Sequence, residues 1–229
     1  MIEISLLPCS WDYNSNAEVK FTYNIMFISF EGIDGCGKST QVRMLEQVLR
    51  AAGREVLVVR EPGATPLSEA VRSVLLSADF AIDPMAELLL FCASRRQLVE
   101  TVIRPALDRG AVVICDRYAD SSTAYQGYGR GLDVHDVSEA NRLATQGLMP
   151  TVTFFLDITV EESYTRAARR SDAAPDRMER SGSEFFERVR AGYQAMASRW
   201  SDRIVCIPGS LAVDDIHAHI MAEIHRRSA

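Results

Sequence analysis

Eight consecutive residues, Gly32-Ile33-Asp34-Gly35-Cys36-Gly37-Lys38-Ser39, match G-x-x-x-x-G-K-[ST] at every fixed position. Glycines at that spacing let backbone N–H groups turn inward around phosphate oxygens. Lys38 adds a charge for the terminal phosphates, and Ser39 adds a hydroxyl for Mg²⁺. The run predicts a bound nucleoside triphosphate with Mg²⁺. Gly32, Asp34, Gly35, Cys36, Gly37, Lys38, Ser39 and Thr40 are its candidate contacts. A second pair, Asp116-Arg117, ends the apolar run Ala111–Cys115. An Asp there can hold Mg²⁺ through water, and an Arg can bridge two phosphates. The N-K-x-D motif expected of a guanine-reading GTPase is missing from the chain.

These residues need strands that end at one crevice. Apolar runs at Met26–Glu31, Glu55–Arg60, Ala111–Cys115, Thr151–Leu156 and Arg203–Ile207 read as strands. Helical patterns fall near 38–52, 66–78, 85–107, 136–147, 160–170, 183–200 and 212–227. Alternating strands and helices predict an α/β fold with a parallel sheet covered on both faces. Continuous runs such as Val112-Val113-Ile114 suit strands buried on both sides. In such a sheet, ligands sit outside the carboxyl ends of the strands, so the phosphate loop and Asp116-Arg117 should meet. Ala140, Leu143 and Leu148, in or beside the 136–147 helix, read first as core contacts and second as part of a dimer surface. Ser171–Arg180 is polar and aperiodic, the pattern of a loop or of a lid.

Composition narrows the class. The 229 residues fit one domain, and 47% hydrophobic residues suffice for a core. A net charge of −6 weighs against a broad nucleic-acid-coating surface. Runs such as Leu88–Ala93 are too short to span a bilayer, which needs roughly 18 apolar residues. No nucleic acid and no membrane are therefore expected as partners. Five cysteines without a close pair suggest reduced thiols and a cytoplasmic protein. Residues 1–25 lack the periodicity of the rest. We expect translation to begin at Met26, residues 1–25 to be an extension outside the native fold, and 26–229 to form one domain.

From Phe30 through Tyr193 the chain resembles bacterial thymidylate kinases. The stretches that carry the resemblance are Phe30-Glu31-Gly32-Ile33-Asp34-Gly35-Cys36-Gly37-Lys38-Ser39-Thr40, Arg60-Glu61-Pro62-Gly63, Glu87-Leu88-Leu89-Leu90-Phe91, Asp116-Arg117-Tyr118, Ala124-Tyr125-Gln126-Gly127-Tyr128-Gly129-Arg130-Gly131 and Asp176-Arg177-Met178-Glu179. The resemblance implies a P-loop NTPase fold with a five-stranded parallel sheet and a short lid, about 166–180. It implies ATP and Mg²⁺ as cosubstrate and metal, dTMP as acceptor, and a homodimer. It also implies a cis peptide before Pro62.

Residue by residue, the resemblance makes Lys38, Arg117 and Asp34 catalytic and places Ser39 and Asp116 at the metal. Phe91 and Arg95 are four apart and share a helix face. A ring with a guanidinium suits a pyrimidine. By resemblance Phe91 stacks on thymine and Arg95 bonds its O4. Ser122, Tyr125 and Gln126 share a face if helical. Gln126 carries both a donor and an acceptor for the N3–H/O4 edge. By resemblance Tyr125 lies under the deoxyribose, and Arg72 binds the monophosphate with Arg117. Some family members carry a catalytic arginine in the phosphate loop, where this chain has Gly35. Others place it in the lid. Arg166, Arg169, Arg170, Arg177 and Arg180 cluster around that segment, so a lid arginine is expected. Arg177 is the first choice, and Arg170 or Arg169 the second. Kinases of other nucleoside monophosphates or of deoxynucleosides are the nearest alternatives. A P-loop regulatory ATPase is a more distant one.

Overall fold

β-Branched and aromatic runs form five strands: β1 (Phe27–Glu31), β2 (Val56–Arg60), β3 (Val112–Asp116), β4 (Val152–Asp157) and β5 (Ile204–Pro208). The computed structural model describes residues 26–168 and 177–228. The expected extension at 1–25 lies outside the described residues. All strands are parallel, in the order β2-β3-β1-β4-β5. Phe27 pairs with Val113, and Ile28 with Val152. Central β1 is buried along its whole length, whereas edge strands β2 and β5 mix buried and exposed positions.

Strand alternation divides the core between the two faces of the sheet. Ile28, Phe30, Val112 and Ile114 join one cluster, with Leu45, Val189 and Ile220 from helices. Phe27, Val113 and Cys115 join the other, with Leu98, Ile103 and Tyr118. Helices therefore cover both faces, as parallel strands require.

The helices follow the sequence pattern closely: α1 (Lys38–Ala51), α2 (Pro66–Leu76), α3 (Pro84–Leu98), α4 (Arg104–Asp108), α5 (Ala119–Ser122), α6 (Val134–Thr145), α7 (Val160–Ala168), α8 (Ser183–Arg199) and α9 (Val213–Ser228). Local chemistry sets several starts. The Thr65 hydroxyl accepts from the Ser68 N–H ahead of Pro66, and the Asp83 carboxylate accepts from Met85 and Ala86 ahead of Pro84.

Three expectations change. The helix expected over 85–107 is divided by a π-helical turn, Val99–Ile103, between α3 and α4. Pro105 has no N–H for the preceding turn, and its ring crowds that turn's carbonyl. α5 runs on as a second π-helical turn, Thr123–Gly129. The sequence pattern does not mark this element as a helix, because Gly127 and Gly129 argue against one. Packing against α8 overrides that propensity: a Cβ on Gly129 would lie 2.6 Å from the Phe185 ring. Leu143, read as core, is 66% exposed, whereas Ala140 and Leu148 pack against buried clusters.

Candidate active site

The phosphate loop leaves β1 through positive-φ glycines: Gly32 at 134°, Gly35 at 80° and Gly37 at 103°. At Gly32 space is as decisive as conformation. A Cβ there would meet the Leu156 carbonyl at 2.6 Å and Cys36 Sγ at 2.8 Å. α1 begins at Lys38, so its free N–H groups and dipole end face the loop. Lys38 Nζ donates to the carbonyls of Gly32 (2.9 Å) and Ile33 (3.2 Å) and contacts Cys36 Sγ. Ser39 Oγ donates to Asp116 Oδ2 at 3.1 Å. The hydroxyl and carboxylate expected at one metal are therefore side by side.

A cavity of about 260 Å³ is lined by Asp34, Gly35, Gly37, Lys38, Ser39, Arg60, Glu61, Arg72, Asp116 and Arg117. A second, of about 120 Å³, shares Asp34, Glu61, Arg72 and Arg117 with it. Its other walls are Pro62, Leu76, Phe91, Ser121, Ser122, Tyr125, Gln126 and Met178. The candidate triphosphate and base residues thus border two cavities joined by two arginines and two carboxylates. Of the expected triphosphate contacts, Gly32, Cys36 and Thr40 shape the loop without lining the cavity.

Arg117 holds the junction. Its guanidinium donates to the Gly32 carbonyl (2.9 Å) and to Asp34 Oδ1 (2.7 Å) and lies 5.1 Å from the Tyr125 ring centroid. Its backbone has φ 72°, sparsely populated for a residue with a Cβ. The Arg117 N–H bond to the Phe30 carbonyl and the Tyr118 N–H bond to Glu31 Oε1 pin that conformation. Glu31 itself is fully buried. It also accepts from Ser29, Ser121 and Tyr193, which ties β1, α5 and α8 together. Arg72 donates to the Pro62 carbonyl beside both cavities, and the Glu61–Pro62 peptide is cis as the resemblance implied.

Arg95 lies deeper than its place on the helix face indicates. It does not line either cavity. Its side chain, 1% exposed, donates to Glu61 Oε2 (2.7 Å), Asn141 Oδ1 (2.7 Å), the Tyr118 carbonyl (3.1 Å) and Ser122 Oγ (3.0 Å). A buried guanidinium needs such partners, and because Glu61 and Ser122 line the second cavity, Arg95 backs its wall from beneath. Burial pushes the Glu61 carboxyl up to about 7, against the pull of Arg95. Among the described residues Glu61 Oε1 is buried without a protein partner, although Glu61 lines the second cavity.

The described arginines around 166–180 take different partners. Arg177 donates to the Leu75 carbonyl and pairs with Glu87 at 2.6 Å, so it stands beside the base pocket rather than the phosphate loop. Arg166 is seated on the loop, donating to the Gly35 carbonyl (3.2 Å) and the Gly209 carbonyl (2.8 Å). A Cβ on Gly35 would be 3.4 Å from Arg166 Cβ. Arg169 and Arg170 lie outside the described residues. Sequence reasoning gave no site role to Arg60 or Glu61. Applying the strand-end rule to β2 as well as β3 would have found both.

Similarity to known proteins agrees with this geometry. The family model for thymidylate kinase matches residues 30–220. The chain is 49% identical over 209 residues to a thymidylate kinase of Prosthecochloris aestuarii, covering 88% of this chain and 94% of that protein. It is likewise 49% identical over 207 residues to one of Chlorobaculum tepidum, covering 87% and 96%. The crystal structure of a thymidylate kinase from Ehrlichia chaffeensis superposes with a TM-score of 0.72 at 33% identity, over 87% of this chain and 98% of that one. With a phosphate loop, a base-sized pocket and a shared arginine junction on a matching sheet, the chain belongs to the thymidylate kinase family.

Proposed function

We propose that this chain transfers the γ-phosphoryl group of ATP to dTMP, forming dTDP for dTTP synthesis. One observation carries the reading: the phosphate-loop cavity and the Phe91–Gln126 cavity share Asp34, Glu61, Arg72 and Arg117. A donor and an acceptor bound in the two cavities meet at those four residues.

The residues present fit both implied groups. Positive-φ glycines, Lys38 and the α1 N-terminus suit a polyphosphate. Ser39 and Asp116 supply the oxygen ligands that Mg²⁺ prefers, and one carboxylate is enough when phosphates and water complete the shell. When bound, Mg²⁺ supplies charge neutralisation on the phosphates.

The acceptor oxygen on dTMP is already anionic, so the protein need not supply a strong general base. Its work is positioning and charge stabilisation. Lys38 and Arg117 bear the developing charge. Arg72 orients the acceptor phosphate with Arg117, and Asp34 holds the Arg117 guanidinium. Phe91 stacks on the base, Gln126 reads its edge, and Tyr125 lies under the sugar. Arg95 acts beneath the pocket, holding Ser122 and Glu61 in place. Arg177, with Arg170 or Arg169, supplies the lid arginine of the segment about 166–180, and Arg166 adds a guanidinium seated on the loop.

We further assign the enzyme to the cytoplasm as a homodimer acting on a small molecule. Cys36, Cys92, Cys115 and Cys206 are free thiols, and among the described residues no helix is long and apolar enough to cross a membrane. Leu67, Leu89 and Leu143 are 52%, 56% and 66% exposed on the adjacent helices α2, α3 and α6, apolar side chains that a second copy would cover. Size-exclusion chromatography with light scattering should give twice the chain mass; a monomer would refute the dimer.

The deciding experiment measures ADP release from Mg·ATP with dTMP, dUMP, CMP, thymidine or no acceptor. Strong turnover with dTMP and little without acceptor is expected. Acceptor-independent turnover would overturn the kinase reading in favour of an ATPase.

A further inference from the structure

We propose that Glu87 fixes the orientation of the Gln126 amide, and thereby makes the pocket select a pyrimidine with an N3–H donor and an O4 acceptor. The inference rests on the reading of the site as a dTMP pocket and names the residue that sets its base preference.

Glu87 is completely buried on α3, one turn before Phe91. Its Oε1 accepts from Gln126 Nε2 (2.9 Å) and Arg130 Nε (3.2 Å). Its Oε2 accepts from Arg130 (3.2 Å) and Arg177 (2.6 Å). An ionised carboxylate can only accept. Gln126 must therefore turn its NH₂ group toward Glu87. A flipped amide would set two acceptor oxygens about 2.9 Å apart, the distance now bridged by a hydrogen bond. Two arginines stabilise the charge that imposes this choice. Burial works to raise the Glu87 pKa, but hydrogen bonds from Arg130, Gln126 and Arg177 hold it below the ordinary carboxylate value.

Gln126 also lines the cavity beside Phe91. With one N–H given to Glu87, its amide retains a carbonyl and a second N–H on a single edge. That edge accepts from N3–H and donates to O4, the pattern of thymine or uracil. Cytosine presents an acceptor at N3 and a donor at N4 and mismatches twice. The same carboxylate holds Arg177, so base reading and the end of the 166–180 segment share one anchor.

The test compares kcat/KM for dTMP and dCMP in the full-length wild type, Glu87→Gln and Glu87→Asp, with Mg·ATP. The neutral amide introduced by Glu87→Gln can donate or accept, so the Gln126 amide is free to flip. We expect the dTMP:dCMP ratio to fall at least about tenfold in Glu87→Gln, since the selectivity rests on hydrogen-bond complementarity. Glu87→Asp should retain most of the ratio. A purely structural role would lower both substrates together and leave the ratio unchanged, which would overturn the proposal. A second measurement needs no variant: calorimetric binding of dTMP and its N3-methyl analogue to the wild type. The analogue should bind at least about tenfold more weakly, because its donor is gone. Equal affinity would show that Gln126 does not present its acceptor and would also overturn the proposal. Wild type inactive on dTMP would refute the dTMP reading itself. An unchanged ratio in Glu87→Gln with active wild type refutes only the role of Glu87.

Discussion

Single side chains at the cavity junction carry the sharpest predictions. Lys38 and Arg117 both line the phosphate-loop cavity, and on the proposed reading each places a cation where phosphoryl charge develops. Replacing either with alanine should lower kcat by roughly 10²–10³-fold, by analogy with loss of one oxyanion donor. Steady-state kinetics checks this, and full kcat in Arg117→Ala would remove it from the bridging role. Phe91 lines only the base end. Phe91→Ala should therefore raise the dTMP KM and leave the ATP KM nearly unchanged; the reverse pattern would argue against stacking. Phe91, Gln126 and Lys38 stood out as candidates because the phosphate-loop motif carries Lys38 and the family resemblance carries the other two. Arg95 was expected as a direct base contact. An arginine at i+4 from Phe91 shares its helix face, but spacing says nothing of depth. Only the packing of Glu61, Asn141 and Ser122 around the guanidinium shows that it lies beneath the pocket.

At the scale of elements, the π-helical turn Thr123–Gly129 brings Tyr125 and Gln126 to the cavity, and α8 holds it there. The contact is close on both sides. A Cβ on Gly192 would lie 2.7–2.9 Å from Cγ, Cδ2 and Cβ of Tyr128. Gly192→Ala gains about 1 kcal/mol in helix propensity. It should lose more through overpacking, about 1–3 kcal/mol, because Tyr128 Cβ cannot move without its backbone. The expected result is a lower Tm in calorimetry together with a raised dTMP KM. An unchanged or higher Tm would mean that the two elements can separate at little cost. The strands and most helices were readable from period and punctuation. The π turns were not, since they answer to Pro105 in one case and to α8 packing in the other.

For the molecule as a whole, buried ion pairs make stability depend on pH. Glu87 has a lowered pKa when folded. Its contribution is therefore present above the ordinary carboxylate value and is lost as pH falls through the folded one. Glu61, raised to about 7, works in the opposite direction. The Glu87 contribution is therefore read as the difference in Tm between wild type and Glu87→Gln, which should shrink from pH 6 to the acid range of roughly 3–4. Glu87→Gln should start from the lower Tm. Parallel curves would show that the burial cost of Glu87 cancels its hydrogen bonds.

The sequence by itself determined the parallel α/β sheet, the phosphate loop and the convergence of strand ends, because these follow from local periodicity and glycine chemistry. Family likeness added the acceptor and the pocket residues. Tertiary structure alone decided which charges meet. Arg177 pairs with Glu87, Arg166 sits on Gly35, and Arg95 lies beneath Ser122, although all three arginines look alike in the chain. A guanidinium at the end of a long side chain has many reachable partners, and only the packed neighbours select one.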